Sequence, residues 1–506
     1  MGSRAPKLVL CVIDAMAPAM LERALAEGVA PILERLVRGG RYVPDCVAAF
    51  PSVTPVCAAS IVTGFGQDAH AIPGMNWFHR EEHRYVEYGS SFRAAQRFGI
   101  ARQLTDTVYN MNRAHLSPDT LTVFEALDDA DIRTAGTTYL MYRGRYRHEP
   151  QRDTTLTRVA SALMRHAVMG PRELFYADIF ASRATGCRSG LGMPGVRDRH
   201  SGCVSAYMVE HDLFDYLLLS LPDNDWHSHK HGPDAQVQSI AQADLQLARV
   251  MNAAGGVEEF LAEHAVIVMA DHSQALVSDT IALQDELAEL GVLHPAHPRR
   301  SGRNAEGSRE GEPLIAVCPS QRGAMVYALH ESERDAVRAS VVARSLAIDG
   351  VDLVLWLEHD AHDAPREAVI ASPLHGELRF APGGPLLDLR GSSWSVDGAL
   401  AAIDASIEDG RLLTPTYPDA LARVWSALTC ANSGEVLLSA APGFEFLDWG
   451  RQAHVGGGSH GSLHASDSLG ALVLTGAELP EPEPEQWAIR DVAPLVLAHF
   501  GLDRSS

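Results

Sequence analysis

The chain has 506 residues, 46% of them apolar and 21% charged, and a formal charge of −22 once 42 Lys and Arg are set against 64 Asp and Glu. That length allows two or three domains around sizeable cores, and the composition is that of a globular protein. So large an excess of carboxylates repels nucleic-acid polymers and anionic membrane surfaces, so a phosphate-bearing partner has to be captured by local chemistry.

From the N-terminus, "KLVLCVID" predicts a strand buried on both faces of a parallel sheet, ending in Asp14. Its apolar run is too short for a signal sequence or a membrane span, and no run elsewhere approaches twenty apolar residues. A cytoplasmic protein without membrane attachment is expected. The segment "APAMLERALAEGVAPILERLVRGG" reads as helical, and "TPVCAASIVTGF" predicts a helix with Thr54 as N-cap and Pro55 in its first turn. "LTVFEALDDADIRTAGTTYL" reads as helix then strand, and "YLLLSLPD" as a second buried strand. A histidine-rich stretch and the helix "QVQSIAQADLQLARVMNAAGG" follow, and then the strand "HAVIVMADHS". This alternation predicts an α/β fold with a mainly parallel central sheet flanked by helices. Residues 276–444 carry their own mixture of elements and are expected to form an inserted α+β subdomain or cap. The catalytic core would then be 1–275 and 445–506. "ELPEPEPEQW" reads as a linker before the last helix. The seven cysteines (11, 46, 57, 187, 203, 318 and 430) are odd in number and lack C-x-x-C spacing. No disulfide framework or zinc ribbon is expected, and a reducing compartment is.

In open α/β sheets ligands bind beyond the carboxyl ends of the strands. Here those ends carry Asp14, Asp223 with Asp225, and Asp271 with His272, while Thr54 opens a helix after another extended segment. A Gly-rich loop, "HVGGGSHGSLHASDS", adds His454, His460 and His464. Each feature alone has an ordinary structural explanation. Converging on one sheet edge, carboxylates, imidazoles and one hydroxyl without cysteine form the donor set of paired divalent ions that handle a phosphoryl group. Spacing does not choose ligands within "LPDNDWHSHKHGPD". Asp223–His227, Asp225–His229 and His227–His231 are all four apart, and each pair would share a helix face.

The motifs "VLCVIDAM", "FPSVTPVCAASIVTG", "HAIPGMNW", "LPDNDWHSHKHGP", "VIVMADHS" and "GGGSHGSLH" together resemble the alkaline phosphatase superfamily, in particular its type I phosphodiesterase/nucleotide pyrophosphatase branch. The resemblance covers residues 7–77, 217–275 and 454–476. It implies an Asp, three residues, a His, two residues and then Gly-Pro, which selects Asp225 and His229 and leaves Asp223, His227 and His231 as neighbours. One ion is then expected on Asp14, Thr54, Asp271 and His272. The other is expected on Asp225, His229 and a late histidine, His460, with His464 as the fallback. Zinc is the expected metal, and manganese suits the same donors. Thr54 would be the nucleophile of a phosphothreonine mechanism, and Asn76 the side-chain donor to a non-bridging oxygen. Two departures stand out: Ala15 and Ser273 occupy positions where the family usually has Gly.

The implied activity is hydrolysis of a small phosphate ester or nucleotide, of phosphodiester or nucleotide pyrophosphate type. Phosphomonoesterase and phosphonate hydrolase are alternatives on the same site, and a metal-binding pseudoenzyme is the non-enzymatic one. "YRGRYRH" (142–148) could bind a distal phosphate, although such runs are more often charged surface. Residues 457–461 spell G-x-S-x-G, but the following segment reads as strand, not the helix that a nucleophile elbow needs.

Overall fold

The computed structural model describes residues 5–152, 164–295, 312–359 and 364–503. Its centre is the Lys7–Ile13 strand, paired in parallel with Tyr216–Leu221 on one side and His264–Met269 on the other. Thr134–Gly136 and Glu173–Tyr176 extend the parallel set beyond Tyr216–Leu221. Leu469–Thr475 adds antiparallel to His264–Met269, and Arg41–Val47 pairs antiparallel to it at the margin. The sheet has eight strands, and the fold is the expected mixed α/β class.

The unbroken apolar run of the first strand follows from its position. Leu8, Leu10 and Val12 enter the apolar cluster on one face, and Val9, Cys11 and Ile13 the cluster on the other. A strand with helices on both sides has no polar face to show. Because the three central strands are parallel, Asp14, Pro222–Asp225 and Asp271–His272 emerge at the same edge. Leu469–Thr475 runs the opposite way, so its beginning, with the loop carrying His460, reaches that edge too.

Within 276–444 lies a second, mostly antiparallel sheet of nine strands, from Ile315–Ser320 to Val436–Ala440. Its apolar face is continuous with one side of the central sheet: Leu355 and Leu437 belong to the same buried cluster as Leu10 and Val12. The turn between Ile315–Ser320 and Gly323–Ala328 braces the histidine loop. Arg322 N–H donates to the His460 carbonyl at 2.9 Å, and its guanidinium lies 3.0 Å from Asp467, both side chains fully buried. Asp467 in turn accepts from Ser462 N–H and Oγ. Removing one partner of a buried pair strands the other charge. Arg322→Met is therefore expected to lower the unfolding free energy by about 3–5 kcal/mol in a urea titration. A loss below about 1 kcal/mol would show that the pair is not a fastening.

Cysteine usage misled in one place. Cys187 and Cys203 form a disulfide, with Cα atoms 5.9 Å apart, while Cys11, Cys46, Cys57, Cys318 and Cys430 are buried thiols. The Arg197–Glu210 helix brings Cys203 back to the loop holding Cys187, a proximity that spacing along the chain does not announce. The inferred reducing compartment loses that support. No helix among the described residues is long and apolar enough to cross a membrane.

Candidate active site

Thr54 sits one residue further into its helix than expected. Val53 is the N-cap and Thr54 the first residue of Thr54–Thr63, followed by Pro55, whose missing N–H costs nothing in the first turn. The Thr54 hydroxyl makes no capping bond and instead lies 3.2 Å from His272 Nε2. Asp14 and Asp271 flank the same nitrogen at 3.7 and 3.4 Å. Ala15 adopts a left-handed backbone (φ 58°) and donates its N–H to Asp271. Such a conformation favours glycine, the residue usual there in the resembling family.

Asp225 and His229 lie one turn apart on the Asp223–His231 helix, 3.3 Å between Oδ1 and Nε2. His460 Nε2 approaches the same carboxylate oxygen at 3.5 Å. The donor atoms of Asp225, His272 and His460, and those of Asp14, Asp271 and His272, form two groups, each within 4.8 Å. The structure thus brings Asp14, Thr54, Asp225, His229, Asp271, His272 and His460 to one place.

The imidazoles are held in one orientation. Nδ1 of His229, His460 and His272 faces the backbone carbonyls of Gly458, Ser52 and Ser273 at 2.7, 2.7 and 3.1 Å. With a proton on Nδ1, each ring turns the lone pair of Nε2 toward the carboxylates. Asp14 Oδ1, Asp271 Oδ2 and His460 Nε2 are buried without hydrogen-bond partners. Burial, and then the charges of Asp271 and Asp225, raise the Asp14 carboxyl well above its ordinary range. Burial would also raise Asp225, but His229, aided by His460 and His272, holds it below that range. His460 is pushed well below the usual imidazole value by burial and by His272 beside it, so it stays neutral, as a ligand must. Unpartnered carboxylate and imidazole atoms converging without cysteine fit divalent cations such as zinc or manganese.

The family model for type I phosphodiesterase/nucleotide pyrophosphatase matches residues 8–382, well over half of the chain. The chain belongs to this family. A comparison with curated protein sequences finds no match. Among solved structures, human ectonucleotide pyrophosphatase/phosphodiesterase 5 is 12% identical over 98% of this chain and 95% of its own, with a TM-score of 0.57. An inactive murine counterpart in complex with AMP is 11% identical over the same shares, with a TM-score of 0.56. Phosphonoacetate hydrolase from Sinorhizobium meliloti 1021, in complex with phosphonoformate, is 17% identical over 98% of both chains, with a TM-score of 0.55. At these identities the likeness is one of fold. Membership makes the chain a phosphoester hydrolase of a generally metal-dependent family.

Not every expected residue of this phosphodiesterase-family chain joins the cluster. Asn76 is buried on the Asn76–His79 strand, and its Nδ2 donates to the Val86 carbonyl at 2.8 Å. That bond ties a hairpin and engages one of the two amide hydrogens, and Asn76 is not among the described residues lining the cavity at Thr54. Asn76→Ala is accordingly expected to cost about 1–3 kcal/mol of stability by denaturant titration and less than about tenfold in kcat/KM (about 1.4 kcal/mol). A far larger kinetic loss in a folded variant would return Asn76 to the site.

His464 is bound to Ser466 at the start of a short helix and contributes no atom to the cluster. Asp223 accepts from Gly195 N–H, Asp198 N–H and Arg197, while His227 and His231 lie ring to ring, 4.6 Å apart. In "YRGRYRH", Arg143 pairs with Glu125, Arg145 with Glu125 and Asp129, and Arg147 with Glu149. Ser459 of the apparent nucleophile elbow is buried and donates to Glu445. Three supports stand behind these donors, and of them the sequence singled out His454 alone. Gln274 donates to Asp225, His454 stacks on His229 with centroids 4.1 Å apart, and Glu445 holds His454 Nδ1 at 2.8 Å.

Proposed function

We propose that this family member hydrolyses phosphate esters of phosphodiester or nucleotide pyrophosphate type through a covalent intermediate on Thr54. The observation that carries the reading is a hydroxyl without a capping role, 3.2 Å from His272, set among two groups of metal-type donors. Asp14, Thr54, Asp271 and His272 would hold one divalent ion, and Asp225, His229 and His460 the other, zinc being expected and manganese compatible. When bound, such ions neutralise phosphoryl charge and lower the pKa of a hydroxyl or water.

The residues themselves account for the rest. Thr54 opens a ten-residue helix, so its oxygen stands at the positive end of the helix dipole, where an anionic phosphoryl group is favoured. Its Oγ attacks phosphorus in line. The P–O bond to the leaving alcohol breaks, and water then cleaves the Thr54 ester, releasing the product and restoring the hydroxyl. The backbone carbonyls on Nδ1 keep all three imidazoles from turning away during these steps.

Initial rates of zinc-loaded protein on aryl phosphate diester, monoester and phosphonate substrates test the reading. Fastest turnover of the diester is expected. A monoester or phosphonate preference would move the chain to one of those activities on the same site, and no turnover would leave a metal-binding pseudoenzyme.

A further inference from the structure

Resting on this hydrolase reading and narrowing it to its phosphodiester branch, we infer that the organic group carried by the substrate is uncharged and apolar, an alkyl or aryl ester and not a carboxylate- or polyphosphate-bearing one. A cavity of about 510 Å³ opens directly on Thr54, Asp14, Asp225 and Asp271, within the usual size of a small-molecule site. Away from that polar end its walls include Met75, Leu104, Val108, Leu140, Met164 and Ile179, with the rings of Tyr88, Tyr139 and Tyr176.

Several polar groups among these walls are engaged elsewhere; the Tyr139 hydroxyl is buried without a hydrogen-bond partner and, being uncharged, offers a hydrogen bond but no counter-charge. The Tyr88 hydroxyl meets His115 Nδ1 at 2.8 Å. Thr107 donates to the Tyr88 carbonyl at 3.0 Å, and Thr138 Oγ accepts from Ala177 N–H at 2.9 Å. Among the described lining residues Arg197 is the one Arg or Lys. Its guanidinium donates to Asp223 Oδ1 at 2.9 Å and to the Pro222 carbonyl at 3.2 Å. A second anionic group on the substrate would be stripped of water against methionine, leucine and tyrosine with no uncommitted cation among the described lining residues to meet it, a costly burial. An alkyl chain or aryl ring gains there by leaving water, and flexible methionines accommodate several shapes.

The test measures kcat/KM of zinc-loaded enzyme on p-nitrophenyl phosphodiesters whose second ester is methyl, butyl, octyl, 5-carboxypentyl or thymidine-5′-yl. A rise of about threefold per methylene is expected over the first additions, and the 5-carboxypentyl ester should fall at least about tenfold below the trend of the alkyl series. Leu104→Lys, at the partly exposed margin of the cavity, should narrow or reverse that preference by raising the carboxylate ester and lowering the octyl ester. A mere packing defect would lower both. Equal rates along the series, or preference for the carboxylate or nucleoside ester, would overturn the inference while leaving the hydrolase intact. If no diester is cleaved, the diesterase reading fails, and calorimetry with alkylphosphonates still decides. Affinity rising with chain length supports the apolar site, and affinity independent of length contradicts it.

Discussion

Thr54→Ala should abolish turnover, lowering kcat by about a thousandfold or more on every ester the wild-type protein cleaves, while Thr54→Ser keeps activity within about tenfold. The alanine variant removes the hydroxyl that lies 3.2 Å from His272 and leaves the donors of both candidate ion groups in place except for Thr54 itself. Because Thr54 is half-buried and makes no capping bond, its replacement should change unfolding free energy by no more than about 0.5 kcal/mol. Loss of rate with unchanged stability separates a nucleophile from a packing residue. Activity surviving in the alanine variant would remove Thr54 from the mechanism.

The second large effect concerns the ions. Asp225 lies 3.3 Å from His229 and 3.5 Å from His460, so it anchors one donor group by itself. Asp225→Asn is expected to lower the metal content of purified protein from two ions per chain to one, measured by elemental analysis, and kcat by about a hundredfold or more. Chelation of wild-type protein should remove both ions and activity together, with zinc restoring them. It should also lower thermal stability, because Asp14, Asp225 and Asp271 then face one another without a cation. At free metal one hundred times Kd, binding stabilises the fold by about 2.7 kcal/mol. Two ions retained in Asp225→Asn would contradict the assignment of that group.

The sheet was legible because burial on both faces leaves an unmistakable composition. "KLVLCVID" and "YLLLSLPD" have no room for polar alternation, and the residue that ends each apolar run marks the edge where chemistry can sit. The candidate ligands were legible for the same reason, with resemblance choosing Asp225 and His229 where spacing left several pairs equal. The expectation for Asn76 rests on position after the nucleophile, which says nothing about which carbonyl an amide will meet; here one amide hydrogen meets a hairpin partner. The carbonyls of Ser52, Gly458 and Ser273 orient the imidazoles. Every residue type has a carbonyl, so no sequence pattern could point to these. The Cys187–Cys203 bond and the Arg322 brace likewise depend on how distant segments meet.

A covalent intermediate has a stereochemical signature at phosphorus that does not require the intermediate to accumulate. Hydrolysis of a chiral phosphorothioate diester in oxygen-18 water, with product configuration read by phosphorus NMR, tests it most directly. Two successive in-line displacements, first by Thr54 and then by water, give net retention, the result this account predicts. Net inversion would mean that water attacks the substrate directly, and Thr54 would not be the nucleophile.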